Sequence, residues 1–263
     1  MEACQEFLSR IINVKEFPLS RLKSTTASET AKVLENSYRA VNIAFIDEWS
    51  RFAEEAGVDL FEVIDAIRIR PTHSNMRQPG FGVGGYCLTK DPLFGVIAAK
   101  DILGIPNVKF PLSTLGLAIN RDMPLATLDR LQNLLPAKVE GARVLLMGIS
   151  YRSDVGDTRY SPSEIFLHEA RRRSIEIIPQ DPLVTYWHEM GIEVIETLPD
   201  LKVIGPVDAI VFAVSHEQYR EIDFPTWLQH ATPVIIDANR VLTTEQIRSI
   251  KILGCSYARM GEG

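Results

Sequence analysis

Among 263 residues there are only three cysteines, Cys4, Cys87 and Cys255. An odd number at such wide spacing makes no disulfide framework, and none forms a C-x-x-C pair, so the sequence reads as that of a cytoplasmic protein kept reduced. No run of 18 apolar residues occurs, so nothing reads as a membrane-spanning helix, and the opening MEACQEFLSRIINV has acidic and polar residues where a secretory signal needs a basic start. Basic clusters are also missing. The longest is Arg171-Arg172-Arg173 and the formal net charge is −6, so neither nucleic acid nor an anionic membrane is an expected partner. That short run suits the C-terminal end of a helix, where cations offset the macrodipole. His73, His168, His188, His216 and His230 share no metal-ligand spacing, and no metal is expected. There are no repeats and no low-complexity tracts. What is present is an ordinary globular composition, 46% hydrophobic and 24% charged, in a chain long enough for two domains.

The first half reads as helical. Thr26 followed by Glu29 has the spacing of a capping box, and apolar residues then recur at helical intervals from Ala31 through Tyr38, Phe45 and Trp49 to Ala56, with Gly57 as the stop. Asp59 with Glu62 caps a second helix through Ile67. Asp91 with Pro92 opens a third that ends at Gly104, and residues 111–135 read as one long helix interrupted or kinked at Pro124. At Pro136 the texture changes. Residues 142–149, 174–179, 193–197, 208–215 and 233–238 are short apolar runs rich in β-branched side chains, with helical segments between them. This alternation predicts a doubly wound parallel sheet, with helix starts at Ser161 (box partner Glu164) and Thr243 (box partner Gln246). In such a sheet the C-terminal ends of the strands form the ligand crevice, here GISYRSDVGDTR after the first strand and DANRVL after the fifth.

The stretch PGFGVGGYCLTKD, residues 79–91, matches G-x-G-x-x-G at Gly80, Gly82 and Gly85. A dinucleotide fingerprint needs a buried strand just before it. Here the preceding RPTHSNMRQ is polar and contains proline, so the segment reads instead as a loop that brings backbone close to a ligand and ends at Cys87 and Asp91. A helix start and Lys90 beside a thiol favour the thiolate, and Asp91 combines a capping position with a carboxylate able to act as a base. Lys32 and Asn36 lie four apart on one face of the first long helix. At the sheet edge Arg152, Asp157, Arg159 and Arg240 are the candidates, arginine being suited to phosphate through its planar fork. A local Asp157–Arg159 pair is the alternative for Arg159.

Taken in order, ETAKVLEN, NIAFIDE, PGFGVGGYCLTKDP, GISYRSDVGDTRYSP and DANRVL resemble the UDP-glucose/GDP-mannose dehydrogenase family over nearly the whole chain. The resemblance implies an all-helical central dimerisation domain joined by a long helix to a Rossmann-like UDP-binding domain. The corresponding divisions are 1–23 (the last helix of an N-terminal Rossmann domain), 24–136 and 137–263. It implies oxidation of the C6 hydroxymethyl of a nucleotide sugar to a carboxylate with NAD as cofactor, by a homodimer. Cys87 would form a thiohemiacetal and then a thioester, with Lys32, Asn36 and Asp91 stabilising the oxyanion and placing water. Residues Gln78, Pro79, Gly80, Phe81, Gly82, Val83 and Gly84 would wrap the sugar diphosphate, with Tyr151, Arg152 and Arg240. Lys90 and Arg159 would reach the cofactor.

The sequence departs from the family pattern in three ways. Arg152 stands where relatives have lysine. Thr72-His73 or Pro71, close to Arg68 and Arg70, stands where many have an arginine that crosses the dimer. The NAD domain expected ahead of MEACQEFLSRIINV is not in the sequence, so this chain is expected not to complete hydride transfer alone. The alternative is a dimeric module that holds a UDP-sugar without turnover.

Overall fold

The computed structural model describes residues 2–135 and 139–263, so the expected domain boundary at 136/137 lies outside the described residues. Helix α1 (Glu2–Ser9) buries none of its residues. Helix α2 (Thr25–Ala56) is long enough to carry residues for both a packed face and an exposed one. Its cap is Ser24 and not Thr26: Ser24 has extended backbone (φ −149°, ψ 162°), which lets its hydroxyl accept from the Ala27 N–H, whereas Thr26 is already helical. Gly57, in the left-handed region at φ 68°, stops it as expected. Asp59 caps helix α3 (Leu60–Arg68) by accepting from the Phe61 and Glu62 amides.

The third expected helix is broken into pieces. A 3₁₀ turn at Asp91–Leu93 leads into helix α4 (Phe94–Ile97) and a π turn at Ala98–Ile102. Asp91 is the first residue of that turn, not its cap; Lys90 holds the cap position without a side-chain bond. Helix α5 (Pro111–Leu134) runs through Pro124 uninterrupted. Its first half packs on α2, where Asn120 Nδ2 donates to the Ala40 carbonyl at 2.9 Å. Its second half enters the core of the following sheet through Ala126, Leu128 and Leu131.

Strands β1 (Arg143–Met147) and β2 (Glu176–Gln180) flank helix α6 (Pro162–Arg172). After these come a two-stranded antiparallel ribbon, β3 (Tyr186–Trp187) with β4 (Ile192–Glu193), then helix α7 (Leu201–Ile204) and β5 (Ala209–Phe212). Helix α8 (Phe224–Leu228), β6 (Val234–Asp237), helix α9 (Thr244–Ile252) and β7 (Tyr257–Arg259) complete the domain. The five-stranded sheet is wholly parallel in the order β2-β1-β5-β6-β7. Its inner strands β1, β5 and β6 read as apolar runs because both faces are covered: on β1, Val144 and Leu146 face the α5–α6 side, while Leu145 and Met147 face the α8–α9 side.

Residues 193–197 do not supply a further strand of this sheet. Only Ile195 bridges to Gln180, and Glu193 belongs to the ribbon. The fifth strand is β7, at the edge opposite β2. Thr243 and Gln246 form the full capping box, whereas Ser161 caps α6 through the Ser163 amide and Glu164 points toward His168 at 3.8 Å. Among the described residues no helix is long and apolar enough to cross a membrane.

The two regions are stitched at a second point. The Gly261 N–H donates to Glu54 Oε1 at 2.6 Å, the Leu60 N–H to the Gly261 carbonyl at 3.0 Å, and the Gly263 N–H to the Val58 carbonyl at 3.2 Å. Burial pushes the Glu54 carboxyl above its ordinary value, with the Gly261 hydrogen bond working against the rise.

Candidate active site

Asn36 is fully buried on α2, and its two amide ends are used in opposite directions. Oδ1 accepts from Lys32 Nζ at 3.2 Å, and Nδ2 donates to Asp91 Oδ2 at 2.7 Å. The other Asp91 oxygen accepts from Lys90 Nζ at 2.9 Å, and the Asp91 N–H donates to the Cys87 carbonyl at 2.9 Å. Lys32, Asn36, Asp91, Lys90 and the Cys87 turn therefore form one connected set drawn from α2 and the loop after the glycines. Cys87 is exposed, while Cys255 is buried with its thiol pushed up by desolvation. The Lys90 ammonium is held above its ordinary value by its hydrogen bond to Asp91 first, with Cys87 and Tyr160 adding to the effect. Leu88 and Thr89, next to Cys87, line a cavity of about 420 Å³ shared with Val83, Asn120, Arg121 and Tyr160.

The glycine loop is docked on the α/β domain. A Cβ on Gly82 would lie 2.6 Å from Pro162 Cβ, and one on Gly84 would lie 2.7 Å from Tyr151 Cβ and 2.8 Å from the Tyr160 carbonyl. The same is true of the other positions in the G-x-G-x-x-G match: Gly80 lies against Asn239 and Gly85 against the Tyr151 ring. These glycines are needed for contact between the two domains, a role the sequence reading gave to ligand approach alone. Phe81 is only 2% exposed and its ring packs on Phe166 at 5.6 Å, so burial removes it from ligand contact. Pro79 is buried against Gly261. Gln78 and Val83 remain partly exposed.

At the sheet edge Arg159 makes the local pair: Nε and Nη2 donate to both oxygens of Asp157 at 2.9 and 2.6 Å, and the guanidinium lies 5.0 Å from the Tyr86 ring centroid. This holds the Asp157 carboxyl below its usual range. Arg240 sits at φ 52°, stabilised by a turn in which Asp237 accepts the Val241 and Leu242 amides, and reaches Asp65 at 3.7 Å and the face of Phe61. Arg152 is exposed and Tyr151 half-buried. Arg68, near the expected cross-dimer position, is taken up by the Met76 carbonyl at 2.9 and 2.6 Å.

Two functional candidates went unread in the sequence. Asp181, wholly buried after β2, accepts from the Ile149 and Ser150 amides and from the Ser150 hydroxyl, which together hold the start of the 149–157 loop. His216, equally buried, touches the same oxygen. An acidic residue just past a strand end was the available signal for Asp181. Burial opposes its ionisation, yet the hydrogen bonds from His216 and from backbone amides outweigh that and hold the carboxyl below its ordinary 3.8.

A group depressed in the folded state contributes stability above its unfolded value and loses it as pH falls through the folded one. The Asp181→Asn variant should therefore show a flatter fall in thermal midpoint below about pH 4 than the unsubstituted chain. Parallel acid limbs would count against this linkage.

Sequence comparison places these residues in context. The central-domain profile of the UDP-glucose/GDP-mannose dehydrogenase family matches residues 26–121, and the UDP binding domain of the same family matches residues 145–244. The chain belongs to this family. A UDP-N-acetyl-D-mannosamine dehydrogenase of Pyrococcus horikoshii is 29% identical over 224 residues, which is 84% of this chain and 50% of that protein. An NDP-N-acetyl-D-galactosaminuronic acid dehydrogenase of Ralstonia nicotianae is 29% identical over 223 residues, with the same two coverages, 84% and 50%. The crystal structure of NDP-N-acetyl-D-galactosaminuronic acid dehydrogenase from Methanosarcina mazei Go1 superposes with a TM-score of 0.78 at 27% identity, covering 91% of this chain and 51% of that one. The chain thus spans about half the length of the curated relatives it matches.

Proposed function

We propose that the chain supplies the nucleophile and the nucleotide-binding face of an NAD-dependent nucleotide-sugar 6-dehydrogenase. The observation that carries this is the line Lys32–Asn36–Asp91, whose last member closes the backbone turn that holds the exposed Cys87, beside a loop docked on the UDP-binding domain. In this reading the Cys87 sulfur adds to the carbonyl carbon of a sugar aldehyde, giving a thiohemiacetal. The Lys32 ammonium and the Asn36 amide stabilise the oxygen; loss of a hydride from the thiohemiacetal carbon to NAD would leave the thioester, and Asp91 receives a proton from the water that attacks it. Thioester hydrolysis releases the carboxylate and restores the thiol. Tyr151, Arg152 and Arg240, with the partly exposed Gln78 and Val83, face the sugar diphosphate. The relatives' names make UDP-linked N-acetylhexosamines the first substrates to test.

The described residues do not fit a dinucleotide. The G-x-G-x-x-G glycines are filled by Asn239, Pro162 and Tyr151, and Arg159 and Lys90 are each held by a carboxylate, so these two can offer edge contacts only. No hydride step is therefore assigned to this chain. The same filled cradle favours the second reading, in which the chain on its own binds a UDP-sugar without turnover. A homodimer through α2 is supported by its exposed stripe of Leu34, Tyr38, Phe45, Trp49 and Phe52. The proposed divisions remain 1–23, 24–136 and 137–263.

Calorimetry with UDP, UDP-N-acetylmannosamine, UDP-glucose and GDP-mannose tests the binding face, and the absence of heat with every one of them would end the proposal. Mixing the chain with a family Rossmann domain tests the rest through UDP-sugar-dependent NADH formation.

A further inference from the structure

The parallel sheet changes direction of winding between β1 and β5, and the loops leaving these two strands border the crevice where such folds take ligands. One buried histidine ties the two loops together. His216 is wholly buried in the loop after β5. Its Nδ1 accepts the Asp154 N–H at 3.0 Å, and its Nε2 lies 3.2 Å from Asp181 Oδ2. A ring nitrogen that accepts from a backbone amide carries no proton, so the proton sits on Nε2 and is donated to Asp181. Asp154 closes the loop from its own side, its Oδ1 accepting the Glu217 N–H at 3.1 Å while its backbone is held in the left-handed region at φ 57°. That conformation is unfavourable for a residue with a Cβ, so it persists because the amide is held. Tyr219 also packs there, edge-on to the imidazole at 5.4 Å with its hydroxyl donated to Gln180.

We infer that His216 is a positioning residue for the nucleotide diphosphate: by holding the Asp154 amide it fixes the 149–157 loop in the shape that presents Tyr151 and Arg152. This rests on the UDP-sugar reading above for its ligand, but not for its geometry.

Two isosteric replacements separate the roles of the two nitrogens. In His216→Asn the side-chain oxygen lies where Nδ1 was and can still accept the Asp154 N–H. In His216→Gln the terminal NH₂ lies where Nε2 was and can donate only to Asp181. Amide hydrogen exchange at Asp154 reads the loop without any ligand, calorimetry with UDP reads the consequence, and far-UV circular dichroism checks that both variants fold. The expected result is an Asp154 amide protected in the unsubstituted chain and in His216→Asn, and exchanging at least about tenfold faster in His216→Gln. UDP affinity should stay within about threefold for Asn and fall by about tenfold or more for Gln. Equal exchange rates at Asp154 in the two variants would overturn the inference, as would equal UDP affinities. Should the unsubstituted chain give no heat with UDP while the exchange difference holds, the UDP-sugar reading fails and takes the ligand part of the inference with it.

Discussion

Replacing Phe81 with alanine is expected to cost about 3–5 kcal/mol of stability, the range for removing a fully packed aromatic ring. Phe81 is 2% exposed and belongs to the same core as Phe166 on α6, Leu128 and Leu131 on α5, and Val144 and Leu146 on β1. Its neighbours in the loop are glycines, which contribute backbone contact but almost no apolar area. The ring is therefore the principal apolar anchor of the segment that carries Cys87. Denaturant unfolding measures the loss, and Phe81→Leu should recover part of it because much of the volume is kept. A loss below about 1 kcal/mol would mean the site had collapsed to fill the hole, or that the anchor lies elsewhere.

Cys87→Ser should halt acid formation. In chain complemented by a family Rossmann domain, the rate of carboxylate release is expected to fall below about a thousandth of the unsubstituted value, equivalent to about 4 kcal/mol of barrier. A serine hydroxyl is a far poorer nucleophile than a thiol, and it would leave an ester in place of the more reactive thioester. In the proposed sequence the first oxidation does not use the sulfur, so it should survive and show as a single equivalent of NADH with aldehyde trapped by hydroxylamine. Full acid production by the serine variant would remove covalent catalysis from the proposal.

What the sequence displayed clearly was local. Gly57, Asp59 and the Thr243–Gln246 box each act within one turn of chain, and each does in the structure what its type predicts. The parallel strands beginning at Arg143, Ala209 and Val234 were legible because burial on both faces removes polar alternation, and the edge strand beginning at Glu176 through its paired isoleucines. Residues 193–197 carry the same texture, but Glu193 belongs to the ribbon and Ile195 bridges β2 at one point; a short apolar run cannot announce its partner. Strand β7, Tyr257–Arg259, was missed because it is three residues long and at an edge.

The candidate site divides in the same way. Lys32 and Asn36 are one helical turn apart, and their shared face could be read off. Asn36 to Asp91 spans 55 positions, and Asp181 to His216 spans 35, so those contacts exist only once the chain has folded. Phe81 shows the opposite error: its place in a ligand-like motif concealed an aromatic ring whose fate was decided by Phe166.

Helix α5 is a single rod lodged at one end against α2 and at the other in the heart of the sheet. The Glu54–Gly261 stitch is a second fixed point, so among the described residues the two regions are joined at two places and not one. A force that pried the two regions apart would thus load the rod and the stitch together, as a strut and its tie share a strain.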